Sequence, residues 1–224
     1  MKAFKSYIRL YAVAALGAGA LFTTVALQPA QAQTQNYSIP TVKVARPGQQ
    51  TATFAAGCFW SMEAIFKQLK GVASVEPGYA GGRLQNPSYQ QVETGRTGHA
   101  ETVNIIFDPK VISYYDLLEV LLTVRDPTTV NQQGPDYGPQ YRSVIFARNA
   151  QQRQTALKAI QDCDEAQIWN APAVTEVQPF SNFYRAEDYH LDYYNLHPQE
   201  TYCARVVAPE IADFREKFHD KLKQ

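Results

Sequence analysis

Between Thr51 and Phe180 the apolar residues change spacing repeatedly, and the order of those changes is what most restricts the fold. Thr51 to Ala56 reads as a short strand, and from Cys58 onward Phe59, Met62, Phe66 and Leu69 recur at helical spacing until Gly71. A strand and a glycine turn follow in "GVASVEPGYAGGR" (71–83). In "HAETVNIIFDP" (99–109), Val103, Ile105 and Phe107 alternate with Thr102 and Asn104, which predicts a strand with one apolar face. Ser113 to Arg125 reads as a helix capped by Ser113 with Asp116 three residues on, its Leu117, Leu121 and Leu122 turned inward. A Gly/Pro-rich loop (131–140) leads to the strand "YRSVIFAR" (141–148), a helix from Asn149 to about Gln167, and the strand "AVTEVQPF" (173–180). Strand, helix, strand, strand, helix, strand is the order of an α+β, two-layer ferredoxin-like plait (βαββαβ core). Long loops and extra C-terminal helices complete the expectation. Two helical patterns (185–195 and 209–222) flank an irregular stretch, "HPQETYCARVVA" (197–208).

The N-terminus has its own grammar. Lys2, Lys5 and Arg9 precede an apolar run from Leu10 to Leu27, and Ala30-Gln31-Ala32 closes it, the pattern of a secretory signal peptide cut after Ala32. The division expected is a signal at 1–32, a polar linker at 33–50 and one domain at 51–224. The protein is then exported, periplasmic or secreted, the alternative being a membrane anchor formed by an uncleaved N-terminal segment. With 21 basic and 21 acidic residues and no basic stripe, nothing points to nucleic acid as a partner. A small or neutral partner and a monomeric chain are expected.

Cys58 lies where the strand meets the helix, directly after Gly57. Unpaired N–H groups and the helix dipole at that point favour an anion, which would lower the thiol pKa. The other reading is a small hydrophobe tucked under the helix. Trp60 falls on the helix face of Glu63, Ala64 and Lys67, the wetter side, so it is either a stray ring or a pocket wall beside the thiol. Glu101 shares its strand face with Val103, Ile105 and Phe107. A carboxyl on an apolar layer loses hydration and keeps its proton to higher pH, which makes it a candidate general acid. Tyr89, Tyr141 and Asp136 sit beside turns, where they can reach a ligand or simply form the turn. Three cysteines in an exported chain allow one pair and one spare, at no metal-ligand spacing. Cys163 packs inward on its helix, and Cys203, in the irregular stretch, is the better partner for Cys58.

Taken together, "GCFW" (57–60), "GYAGG" (78–82), "NPSY" (86–89), "GHAE" (98–101), "QGPDYGPQYRS" (133–143) and "FYRAEDYHLDYY" (183–194) resemble the type A peptide-methionine sulfoxide reductases. Those enzymes reduce the S epimer of methionine sulfoxide, and the resemblance runs from about Thr51 to Leu222. It implies that Cys58 attacks the sulfoxide sulfur while Glu101, helped by Tyr89 and Tyr141, protonates the oxygen. Phe59 and Trp60 would hold the substrate methyl group and Asp136 its backbone. Cys58, left as a sulfenic acid, would be resolved by Cys203 and reopened by an external thioredoxin-like dithiol, with no bound cofactor or metal. Oxidised proteins and free methionine sulfoxide are the implied substrates. Many relatives carry a glycine-rich tail with one or two resolving cysteines, whereas this tail holds only Cys203. Two other classes remain open on the residues alone. One is a cysteine hydrolase with His190 or His197 as base, and the other a binding module built on Trp60 and the tyrosines.

Overall fold

The computed structural model describes residues 41–223; the expected signal segment and residues 33–40 of the linker lie outside them. In chain order the elements are β1 (Gln50–Ala55), α1 (Phe59–Phe66), β2 (Val72–Ala80), α2 (Tyr89–Glu93), β3 (Ala100–Phe107), α3 (Tyr114–Val124), β4 (Gln132–Gln133) and β5 (Asp136–Tyr137). There follow β6 (Val144–Ala147), α4 (Ala150–Glu165), β7 (Glu176–Pro179), β8 (Phe183–Arg185), α5 (Tyr193–Leu196) and α6 (Ala208–Lys217). Six strands form one sheet in the order β7-β6-β1-β3-β2-β8, and β4 and β5 form a separate two-stranded ribbon. The six-stranded sheet is mixed. Its β6–β7 pair is parallel, and the pairs β6–β1, β1–β3, β3–β2 and β2–β8 are antiparallel. The architecture is therefore α+β, with a wider sheet than four strands: the sequence pattern misses β8 and gives no hint that β7 extends the sheet beside β6.

Local chemistry sets the helix starts. Ser113 and Asp116 form the expected capping box on α3, and Asn149 caps α4 by accepting the Gln152 N–H. Ser88 and Gln91 make a second capping box on the short α2, which the sequence pattern does not separate from its loop. Helix α1 stops at Phe66, earlier than Gly71. That glycine instead turns the chain at φ +81°, with Val111 and Ile112 packed so close that a Cβ would strike them.

The main core lies on one face of the sheet. Phe54 of β1 is fully buried there between Phe66 of α1 and Tyr114 of α3, at ring-centroid distances of 5.9 and 5.7 Å. Both helices therefore stack on the same face, over the middle of the sheet. Strand β3 differs from the expectation of one apolar face, because all eight of its residues are buried. A second cluster, Ala55, Ala80, Ala100, Val144 and Phe146, covers the other face. Asn104 is satisfied there by the Thr53 hydroxyl (3.0 Å) and the Arg148 guanidinium (2.8 Å).

The tail departs furthest from the periodicity. The expected helix at 185–195 reduces to a 3₁₀ turn at Asp188–His190 and the single turn of α5, whereas residues 201–207, expected to be irregular, are helical and run into α6 through a π-helical turn at Cys203–Val207. No helix among the described residues is long and apolar enough to cross a membrane.

Candidate active site

The β1–α1 junction builds the site. Gly57 takes φ +79°, a conformation that side chains disfavour, and a Cβ there would run into Arg125 and Gln133. Its N–H donates to the Tyr141 carbonyl at 3.1 Å, which locks the turn to the 3₁₀ segment Pro139–Tyr141. The buried Arg125 supports the turn from below, with its Nε donating to the Ala56 carbonyl at 2.8 Å. Cys58 thereby becomes the N-cap of α1, with no side-chain capping bond of its own.

A cleft of about 430 Å³ opens at this point, lined by Cys58, Phe59, Trp60, Tyr89, Glu101, Asp136, Tyr141 and Tyr202. Glu101, only 2% exposed, reaches the first turn of α1 and accepts the Phe59 N–H at Oε2 (2.9 Å). Burial is the main reason its carboxyl is held well above the usual range. The Phe59 N–H pulls it back, and the Glu93 and Asp136 carboxylates push it higher. The Cys58 thiol is also raised well above its ordinary value, by burial first and then by the charge of Glu101. The Trp60 N–H and the Tyr202 hydroxyl act the other way and favour the anionic sulfur. The helix N-terminus was expected to leave a low thiol pKa. That expectation fails because burial of the sulfur and a facing carboxyl outweigh the dipole.

Aromatic rings close the cleft. Phe59 lies 4.9 Å from His190 and stacks near Tyr89 at 6.4 Å, and Trp60 lies flat on Tyr193 at 3.8 Å and 8°. The Trp60 indole N–H donates to His190 Nδ1 at 3.1 Å. The expectation of a wetter Trp60 face is thus corrected. Glu63 is 2% exposed and accepts the Asp192 N–H at 2.9 Å, because the segment 186–202 folds over that side of α1. His190 is buried, and burial lowers its pKa to about 4, so it stays neutral. Among the groups acting on the Cys58 sulfur no histidine appears, and the His197 ring lies tilted against Tyr193 (4.5 Å, 42°). Among the described residues, neither histidine offered as a hydrolase base is hydrogen-bonded to the Cys58 sulfur.

Comparison with known proteins decides the family. A family model described as peptide methionine sulfoxide reductase matches residues 50–222. The chain is 49% identical over 172 residues to the peptide methionine sulfoxide reductase MsrA of Polynucleobacter asymbioticus, covering 77% of this chain and 90% of that one. The chain belongs to the type A peptide methionine sulfoxide reductase family. The MsrA of Granulibacter bethesdensis is 47% identical over 174 residues (78% of this chain, 94% of that one). Among solved structures, Mxr1 from Saccharomyces cerevisiae in reduced form superposes with a TM-score of 0.67 at 34% identity, over 71% of this chain and 92% of that one. Methionine sulfoxide reductase A of Corynebacterium diphtheriae gives 0.62 at 33% identity, over 68% and 77%.

In this reductase, seven of the eight residues singled out from the sequence line one cleft, and Cys203 does not. Cys203 is fully buried in the π-helical turn, directly after Tyr202, and all three cysteines are free thiols. Asp136 meets Tyr202 rather than open space, since the phenol donates to its Oδ2 at 2.5 Å. Two residues of the site escaped the sequence reading. Tyr202 bridges Asp136 and the Cys58 sulfur, and its position next to Cys203 was the available signal. Glu93, at the end of α2, accepts the Tyr141 hydroxyl at 3.0 Å, and nothing local marks it. No group of three or more His, Cys, Asp or Glu side chains among the described residues could hold a metal ion.

Proposed function

We propose that this enzyme reduces the S epimer of methionine sulfoxide, in proteins and as the free amino acid, with Cys58 as nucleophile and Glu101 as acid. The observation that carries the reading is the shared first turn of α1. Glu101 accepts the N–H of Phe59, the residue after the thiol, so acid and sulfur face one cleft. A sulfoxide oxygen is a poor leaving group until it is protonated, and a buried carboxylic acid can supply that proton at neutral pH.

The Cys58 sulfur attacks the sulfoxide sulfur as Glu101 protonates its oxygen, with the Tyr89 and Tyr141 hydroxyls assisting. The oxygen passes to Cys58 as a sulfenic acid and the thioether of methionine leaves, so two electrons move from the thiol to the substrate. Phe59 and Trp60 form the apolar wall for the methyl group. Asp136 takes the substrate backbone once Tyr202 releases it. Cys203 then condenses with the sulfenic acid, expelling water and forming a disulfide, which an external thioredoxin-like dithiol reduces by exchange, so that the cycle uses no bound cofactor. Cys203 is fully buried in the π-helical turn, so we infer that the 201–207 stretch rearranges to expose its thiol for this step.

The signal-like segment 1–32 supports reading the enzyme as an exported repair catalyst of a periplasmic or secreted compartment. The order β6-β1-β3-β2 with α1 and α3 on one face supports reading the core as the ferredoxin-like plait.

The test is the pH profile of kcat with Glu101→Gln. Wild-type enzyme should hold its rate until Glu101 ionises and then fall. In Glu101→Gln the proton comes from solvent, so the rate should fall steadily with pH from the acid side. A Glu101→Gln profile of wild-type shape removes Glu101 from the role of acid.

A further inference from the structure

Glu93 closes α2 with its side chain directed at the wall of the cleft. Its Oε2 accepts the Tyr141 hydroxyl at 3.0 Å, and its Oε1 is buried with no ordinary donor in reach. The carboxyl of Glu101 lies within hydrogen-bonding range of the Glu93 carboxyl. A buried carboxylate oxygen without a donor is costly, and two facing carboxylates cannot both be ionised without strong repulsion. One proton resolves both problems. If Glu101 carries it, its O–H donates to Glu93, while its Oε2 keeps the Phe59 N–H.

We propose that Glu93 is a positioning residue for the acid step: its carboxylate accepts both the Glu101 O–H and the Tyr141 O–H, pairing two carboxyls around one proton. The two donors that serve the sulfoxide oxygen are then held protonated beside a single side chain until a sulfoxide oxygen enters and takes over their hydrogen bonds. This rests on the acid role of Glu101 proposed above and deepens it. Charges around the pair agree with it. Glu101 is raised by burial and then by Glu93, while Glu93 itself is raised by burial and lowered by its bonds to Tyr141 and Glu101. The other titratable groups facing the pair are Cys58 from the α1 cap, Tyr79 from β2, Tyr89 from α2, Asp136 from β5 and Tyr141 from the 3₁₀ turn. Once Glu101 gives its proton away it faces the Glu93 anion directly, and the repulsion drives it to take up a proton from solvent before the next turnover.

The experiment compares kcat and KM against pH for wild type, Glu93→Gln, Glu93→Asp and Glu101→Gln, with methionine sulfoxide and dithiothreitol. Glu93→Gln is isosteric, removes the charge and keeps one acceptor oxygen. Its alkaline limb should move down by about one pH unit, a tenfold loss of kcat above the limb, with KM little changed. Glu93→Asp, which keeps the charge, should leave the limb closer to the wild-type position. A uniform loss at every pH, or an unmoved limb, overturns the proposal. If the limb disappears in Glu101→Gln but stays in place in Glu93→Gln, Glu93 alone is refuted. If Glu101→Gln keeps the wild-type profile, the acid role falls and this inference with it.

Discussion

At position 101 the chain places a carboxyl where a hydrocarbon would pack with less penalty, among Val103, Ile105 and Phe107 on a fully buried strand. Burial raises its folded-state pKa above the unfolded value, so the folded protein binds the proton more tightly. The stability that this supplies is present in full below the unfolded pKa, near 4.3, and declines as the pH rises toward the folded value. Glu101→Gln keeps an acceptor for the Phe59 N–H and removes the ionisation. Urea titrations should show the variant gaining at least about 1 kcal/mol on wild type between pH 5 and pH 8. An equal difference at both pH values would mean that Glu101 is not held neutral by the fold. This residue was legible in the sequence because period-2 alternation assigns a side to every strand residue. Glu93 was not, because its partner Tyr141 lies 48 positions away and only the tertiary fold joins them.

The decisive element is the helical stretch 201–217 with its π-helical turn, which buries Cys203 and holds Tyr202 on Asp136 and the Cys58 sulfur. Cys203 is fully buried in that turn, so its reaction with Cys58 should open the turn and draw the adjacent Tyr202 out of the cleft. After one turnover without reductant, mass spectrometry should find a Cys58–Cys203 disulfide, and amide exchange should rise across residues 200–207 while α3 stays protected. Sulfenic acid accumulating on Cys58 with unchanged exchange would exclude Cys203 as resolver. Sequence reading succeeded for elements whose signals are local. The Ser113–Asp116 capping box marks α3, and the Gly57 turn marks the entry to α1. It failed in the tail, where contacts replace periodicity. Trp60 and His190 are 130 residues apart, and their hydrogen bond and the ring stack with Tyr193 turn an apparently wet helix face into an interior one. The burial of Cys203 was hidden for the same reason. The stretch 201–207, expected to be irregular, is helical and continuous with α6, its Val207 packing into the main core beside Ile211 and Phe214.

For the whole molecule, the sheet serves mainly to bring distant segments to one point. β1 delivers Cys58, β3 delivers Glu101, the 3₁₀ turn before β6 delivers Tyr141, and the tail lays its rings over the opening. Membership of the methionine sulfoxide reductase family fits this arrangement, since reducing a sulfoxide requires a nucleophilic sulfur and a proton in the same apolar cleft. The sequence motifs captured the constellation because each lies in a short segment at the end of an element, and the topology does the rest. The central claim is that Cys58 reduces one sulfoxide epimer using that proton. Its most direct test is a chirally resolved assay of wild type and Cys58→Ser on the separated S and R epimers of methionine sulfoxide, with dithiothreitol as reductant. Wild type should consume the S epimer and leave the R epimer untouched, and Cys58→Ser should consume neither; turnover that survives Cys58→Ser, or reduction of the R epimer at a comparable rate, would contradict the account.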